Sequence, residues 1–352
     1  MGSSFGSSSP ARAATPAGRV RDDCAMAGSA PDTPSPRGQG FDAEDAPTDP
    51  ARRDMASREF PILDVTTWPV DQPESAGRGT NTWIIDPQGH RWLHKLTRVH
   101  PDRREGQDWA EKISAEVAHL IGVPAANIEL ARRDGNPGCI SADLKPGVSW
   151  EFQAGSVLIS AFVPGFLPKT RGRGGHNLRN IKTALGSVKP PAELELPESF
   201  GAFEAFCGFL VFDALIANRD RHVQNWSVIR GPFESLSLAP TYDHGSSLGF
   251  NLMDRRREQL LASPDDFGYW TAKATANKFE DGHETSLVDY AHAAMGIATP
   301  ETWPYWAERF SGLSMAACET VISSTPEMSD VARTFSISLL TTNRKRLLDA
   351  GR

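Results

Sequence analysis

The sequence predicts an α+β protein, with a small antiparallel β-rich part carrying one helix followed by a larger, mostly helical part. Three observations predict it. Residues 58–163 hold short β-branched or aromatic runs bounded by Gly, Pro and Asp. From Pro164 onward, apolar residues recur at helical spacing. Residues 1–57 are rich in Ser, Pro, Gly and Ala and have little to bury, so they read as a disordered tail outside the fold. Met55, just ahead of "ASREFPILDV", is an alternative start.

The predicted strands are "FPILDVTTW", "TNTWIID", "RWLHKLTR", "NIELARRD", "CISADL" and "SVLISAFV", with "PQG" as a hairpin turn between the second and third. Between the third and fourth lies "GQDWAEKISAEVAHLIGV". Its Trp109, Ile113, Val117, Leu120 and Ile121 fall at helical spacing, and Gly122 supplies a stop. In the second part "RNIKTALGSV" is a short helix and "ESFGAFEAFCGFLVFDALIAN" a long one, apolar nearly all round and therefore central. "WSVIRGPFESLSLAPTYD" reads as a β-hairpin, and the remaining segments are helical. Domain boundaries follow at 58–163 and 164–352.

Composition excludes several classes. The net charge of −7 gives no general attraction to nucleic acid or anionic membranes. No apolar run reaches the length that spans a bilayer. The cysteines, Cys24, Cys139, Cys207 and Cys318, are far apart with no C-x-x-C, which fits a reducing cytoplasm and no zinc site. The most basic stretch, residues 169–182, has no interleaved aromatic and reads as a solvated loop, so no direct nucleic-acid binding is expected.

The chemistry gathers in two polar knots. The greasy helix empties into "NRDRHVQN", and "YDHGSS" follows the hairpin. Phosphoryl transfer from ATP needs a carboxylate to orient the acceptor hydroxyl and a neutral oxygen ligand for Mg²⁺ on the same loop. Asp220 followed by Asn225 has the D-x-x-x-x-N spacing of a kinase catalytic loop. His222 lies between them with an orienting role, and Asp243 is placed at the end of the hairpin to hold Mg²⁺ with Asn225. In the small part, Lys95 on a strand would grip the phosphates, with mid-helix Glu116 positioning it. "ESAGRGTNTW" reads as the phosphate-covering loop, Gly77 and Gly79 admitting the backbone and Ser75 and Thr80 adding hydroxyls. Backbone groups at Ala161, Phe162 and Val163 would face adenine on a hinge strand.

On these residues the chain resembles the HipA-like toxin-type serine/threonine kinases. Their pattern of a helix ending in G-N-x-D-x-H-x-x-N, a hairpin and L-x-P-x-Y-D is met by Asn218, Asp220, His222, Asn225, Leu238, Pro240, Tyr242 and Asp243. "SAEVAHLIGVPAANIEL" is similar to that family's Glu-bearing helix, and "DRHVQN" to the loop of phosphatidylinositol kinases. The resemblance implies a bilobal protein kinase-like fold, with ATP and Mg²⁺ as cofactors. It further implies Asp220 as catalytic base, Asn225 and Asp243 as metal ligands, a protein or small-molecule phosphoacceptor, and a small helix-turn-helix antitoxin-like partner. Transfer to a protein Ser or Thr hydroxyl is the first expectation. Alternatives are a small-molecule, peptide or phosphatidylinositol-type kinase, or a nucleotide-binding pseudokinase held by a partner.

Overall fold

A computed structural model describes residues 59–73, 81–147, 149–166, 174–232 and 235–351. The first lobe is one sheet of β1 (Ile62–Asp64), β2 (Val70–Pro73), β3 (Thr82–Ile85), β4 (Arg91–Leu96), β5 (Ile128–Arg133) and β6 (Asn136–Ala142), in the order β1-β5-β6-β4-β3-β2. All neighbours are antiparallel except β1 and β5, which run parallel. The expected antiparallel sheet thus forms, with one parallel pairing at this edge. The β3–β4 turn forms as read: the Asp86 side chain accepts from the backbone of Gln88 and His90, and Gly89 takes φ 89°. Lys95 sits opposite Cys139, and Leu96 opposite Gly138. A Cβ at Gly138 would collide with the Lys95 carbonyl, so the bare glycine permits the backbone approach that sets this register.

The helix α1 (Gln107–Leu120) packs on this sheet and stops where Gly122 turns to φ 68°. Its Trp109, Ile113 and Val117 also enter the main apolar core of the second lobe. One helix thus belongs to both lobes.

The second lobe begins earlier than the composition suggests. "SVLISAFV" is not a strand: Gly155–Phe162 forms the helix α2. The strand lies just before it, β7 (Glu151–Ala154), in a second sheet with β8 (Ser227–Arg230) and β9 (Leu236–Leu238) in the order β7-β8-β9. Residues 151–154, which sequence reading places in the first lobe, thus pair with β8 in the second sheet. The remaining helices are α3 (Leu178–Ala184), α4 (Ala202–Ile216), α5 (Asp254–Leu261), α6 (Pro264–Ala272), α7 (Leu287–Ile297), α8 (Thr302–Ser311), α9 (Met315–Ser323) and α10 (Asp330–Ala350). Four of them start alike. Ser263, Ser286, Ser314 and Ser329 cap α6, α7, α9 and α10, each side chain accepting a backbone N–H of the first turn. Among the described residues no helix is long and apolar enough to cross a membrane.

Every residue of α4 is buried. Gly208 lies against the Trp306 indole, where a Cβ would fall on the ring. Gly208→Ala is expected to cost about 1–3 kcal/mol through overpacking, despite the better helix propensity of Ala. Urea unfolding measures it.

Candidate active site

The site assembles where α4 ends. Ala217 adopts φ 55°, which breaks the helix and turns the chain into the "NRDRHVQN" segment. The Asn218 amide donates to the Asp213 carbonyl at 2.8 Å and its side chain to Asp213 Oδ1 at 2.8 Å. Arg221 then folds back into the protein. Its Nε and one terminal nitrogen clamp the two Asp213 oxygens at 2.7 Å each, a fork-to-fork pair that is almost wholly buried. The other terminal nitrogen reaches the Asn225 carbonyl at 2.5 Å and the Tyr242 carbonyl at 3.5 Å, while the clamping one also donates to Thr241 Oγ1 at 2.8 Å. One cation thus ties the Asp220–Asn225 loop to the strand end that carries Asp243.

Asp220 and Asn225 are coupled directly, since Asn225 Nδ2 donates to the Asp220 carbonyl at 2.8 Å. That bond leaves the Asn225 side-chain oxygen for another partner. The Asp220 carboxylate is about one-third exposed and meets Lys278 Nζ at 2.6 Å, a contact that no motif in the sequence announces. His222 accepts from the Gln224 amide through Nδ1, which selects the neutral tautomer with its proton on Nε2. Burial lowers its pKa, with the charges of Asp220 and Asp243 pulling the other way.

Across from this loop, Lys95 Nζ donates to Glu111 Oε1 and to Asp243 Oδ1, both at 2.7 Å. Glu111 Oε2 accepts the His244 amide at 2.8 Å, so one carboxylate joins the strand lysine to the backbone just after Asp243. Gly245 lets that backbone lie against Gln107 and Glu111 of α1, where a Cβ would crowd both. Asp243 takes φ 63°, a left-handed conformation that Asp tolerates better than most residues. Burial alone would raise its carboxyl, but the Lys95 ammonium outweighs it and holds the pKa at about 2. Lys95 itself, though buried, is kept charged by its two carboxylates, with its pKa raised. Glu111 is pushed up by burial. His244 is neutral, its pKa driven down by burial and by Arg221, and its Nε2 accepts from Thr241.

Several expectations need correction. The helix carboxylate that meets Lys95 is Glu111, not Glu116. Glu116 turns away to Lys112 Nζ at 2.8 Å, which also reaches the Ile128 carbonyl. Ala161 and Phe162 end the helix α2 with exposed side chains, and the Val163 amide is spent on the Ile159 carbonyl, so no hinge strand forms there. Ser75, Gly77, Gly79 and Thr80 lie outside the described residues.

The donor set suits magnesium. One carboxylate oxygen of Asp243 and the amide oxygen of Asn225 are hard, few and on facing loops. Among the described residues no group of three or more His, Cys, Asp or Glu is placed to cage a metal, so further ligands would come from water and phosphate oxygens.

Two outcomes follow from this geometry. Glu111→Ala should lower stability by about 3 kcal/mol, because it strips a buried ion pair of one partner, whereas Glu116→Ala, at a partly exposed side chain, should cost under about 1 kcal/mol. Urea midpoints compare them. The depressed Asp243 pKa stabilises the fold above its ordinary value of 3.8, and that contribution is lost as pH falls towards about 2. Asp243→Asn should therefore flatten the stability profile across that window, measured by urea titrations at each pH.

Neither a family model nor a curated protein matches the sequence. Solved structures do. The proinflammatory kinase CtkA of Helicobacter pylori superposes with a TM-score of 0.64 at 17% identity, over 82% of this chain and 96% of that one. HipA of Shewanella oneidensis MR-1, solved with HipB and operator DNA, superposes with a TM-score of 0.51 at 13% identity, over 84% of this chain and 69% of that one. The chain therefore has the bilobal, protein kinase-like fold of the HipA-like kinases.

Proposed function

We propose that this protein is an ATP- and Mg²⁺-dependent kinase that transfers the γ-phosphate to a Ser or Thr hydroxyl of a protein. The observation that carries the reading is the convergence of Lys95, Glu111 and Asp243 on one side with Asp220 and Asn225 on the other, tied by Arg221. Lys95 is a fixed, charged donor for the α- and β-phosphates of ATP, and Glu111 positions it. Asp243 and Asn225 would hold the metal, which would supply positive charge against the phosphates. Asp220 orients the acceptor hydroxyl and takes its proton as the acceptor oxygen bonds to phosphorus. His222, neutral and beside both carboxylates, shapes the loop between them. Leu144 and Tyr242 pack against the buried cluster of Ala115, Ala126, Ile128 and Cys139, and this small apolar cluster is our candidate wall for the adenine ring, in place of Ala161–Val163.

A partner of the HipB kind is part of the proposal, by likeness to HipA. Incubation with Mg·ATP followed by intact-mass measurement tests the function. A gain of phosphate on the chain or on an added protein supports it. ADP formation with only a small metabolite phosphorylated moves the acceptor to that class. Asp220→Asn is expected to lower turnover about 10²–10⁴-fold with the fold intact by circular dichroism. Full turnover in that variant would end the assignment.

A further inference from the structure

We propose that Lys278 is a catalytic residue of this site, contacting the phosphoryl group in flight from the acceptor side; the proposal rests on the kinase reading above. The residue lies on the connection between α6 and α7, far from either polar knot in sequence, yet its Nζ stands 2.6 Å from Asp220 Oδ1. Asp220 Oδ2 has no partner among the described residues and is left for the acceptor hydroxyl.

The connection is built to hold this lysine still. The Ala276 amide donates to Thr285 and the Leu287 amide to Ala274, closing the base of the loop. Phe279 stacks on His176 at 4.5 Å and lies tilted against Tyr290 at 4.6 Å. The Lys278 carbonyl accepts from His176 Nδ1 at 2.8 Å, and Glu280 accepts from the Gly175 amide and Asn177 Nδ2. His176 is itself fixed by Trp226 Nε1 at 3.2 Å, next to the Asp220–Asn225 loop. A surface ion pair needs none of this, being worth about 0–1 kcal/mol. Lys278 and Asp220 are both about one-third exposed, so substrate reaches them, in contrast to the buried Arg221–Asp213 pair.

The electrostatics ask for a cation at this point. Lys95 is committed to the nucleotide side and Arg221 to Asp213. As the acceptor oxygen bonds to the γ-phosphorus and the bond to the β-phosphate oxygen breaks, the electron pair leaves with ADP and the acceptor proton passes to Asp220. Negative charge spreads over the equatorial oxygens of the group in transfer. An ammonium already lodged on Asp220 has three donors. It can keep one on the carboxylate and aim another at those oxygens without reorganising.

The test uses the full chain with Mg·ATP and no added acceptor, reading ADP release to water or to the chain's own hydroxyls. Lys278→Ala should lower kcat at least about tenfold with KM for ATP within about twofold, and Lys278→Arg should recover part of it. By calorimetry the Kd for Mg·ADP should be unchanged in Lys278→Ala. The Kd for Mg·ADP with aluminium fluoride, which mimics the planar group in flight, should rise about tenfold or more. Wild-type kcat in Lys278→Ala overturns the proposal and leaves the kinase reading standing. So does a slowed variant that still binds the fluoride complex normally, since its lysine is then structural. A wild-type chain that binds Mg·ADP but releases no ADP from ATP, alone or with added protein or small-molecule acceptors, overturns both.

Discussion

The bidentate pair between Arg221 and Asp213 is the constraint on which the site depends. Both side chains are within two per cent of full burial, where an isolated charge of either sign would be prohibitively costly. Each tolerates that depth only through the other and through the surrounding dipoles: Asn218 on the carboxylate, and Thr241 with the Asn225 and Tyr242 carbonyls on the guanidinium. Because these partners come from the end of α4, the following loop and the end of the hairpin, satisfying one buried cation fixes three segments relative to one another. Every donor on Arg221 that is used for this purpose is unavailable to substrate, so its role is the shape of the loop.

The other half of the site is organised by Glu111 in a comparable way. Its two oxygens face different parts of the chain, the Lys95 ammonium and the His244 amide. Since α1 also shares the main core with α4, the position of Lys95 relative to Asp243 is decided by packing as well as charge. Buried ion pairs add little to stability compared with an apolar filling of the same volume. Their value here is geometric: a lysine with two carboxylates at 2.7 Å has one place to be.

Much of this was legible in the sequence, because the second lobe announces itself by spacing. Asp220, Asn225 and Asp243 sit on one loop and one hairpin end, where local order in the chain maps onto local order in space. The failures share a cause, which is that direction around a helix or across a lobe is not local. Glu111 and Glu116 are five residues apart, about 140° around the axis at 3.6 residues per turn, so only one of them can face β4. The i, i+4 pairing of Lys112 with Glu116 would have been the signal that Glu116 was taken. "SVLISAF" is a short apolar run that reads equally as strand or helix, and the first-turn amides of the helix that forms, Gly155 and Ser156, are satisfied by the Trp226 and Val223 carbonyls. Lys278 has no motif around it. Its nearness to Asp220 is set by contacts distant in sequence, among them the stacking of Phe279 on His176 between segments a hundred residues apart.

The left-handed residues mark where this assembly is held against local preference. Ala217 and Asp243 both carry positive φ, at about 1–2 kcal/mol for an L-residue, somewhat less for Asp. Each lies at the reversal that brings a charged side chain into the cleft. Ala217 turns the chain so that Asn218 can bond Asp213, which in turn fixes where Arg221 and then Asp220 fall. Asp243 turns so that its carboxylate reaches Lys95 while the next amide reaches Glu111. A glycine at either position would remove the strain but widen the range of conformations open to the loop. The hydrogen bonds and ion pairs around each reversal over-determine it, which is the condition under which such strain persists. The two reversals therefore preset the separation of Asp220 and Asp243 before any ligand binds.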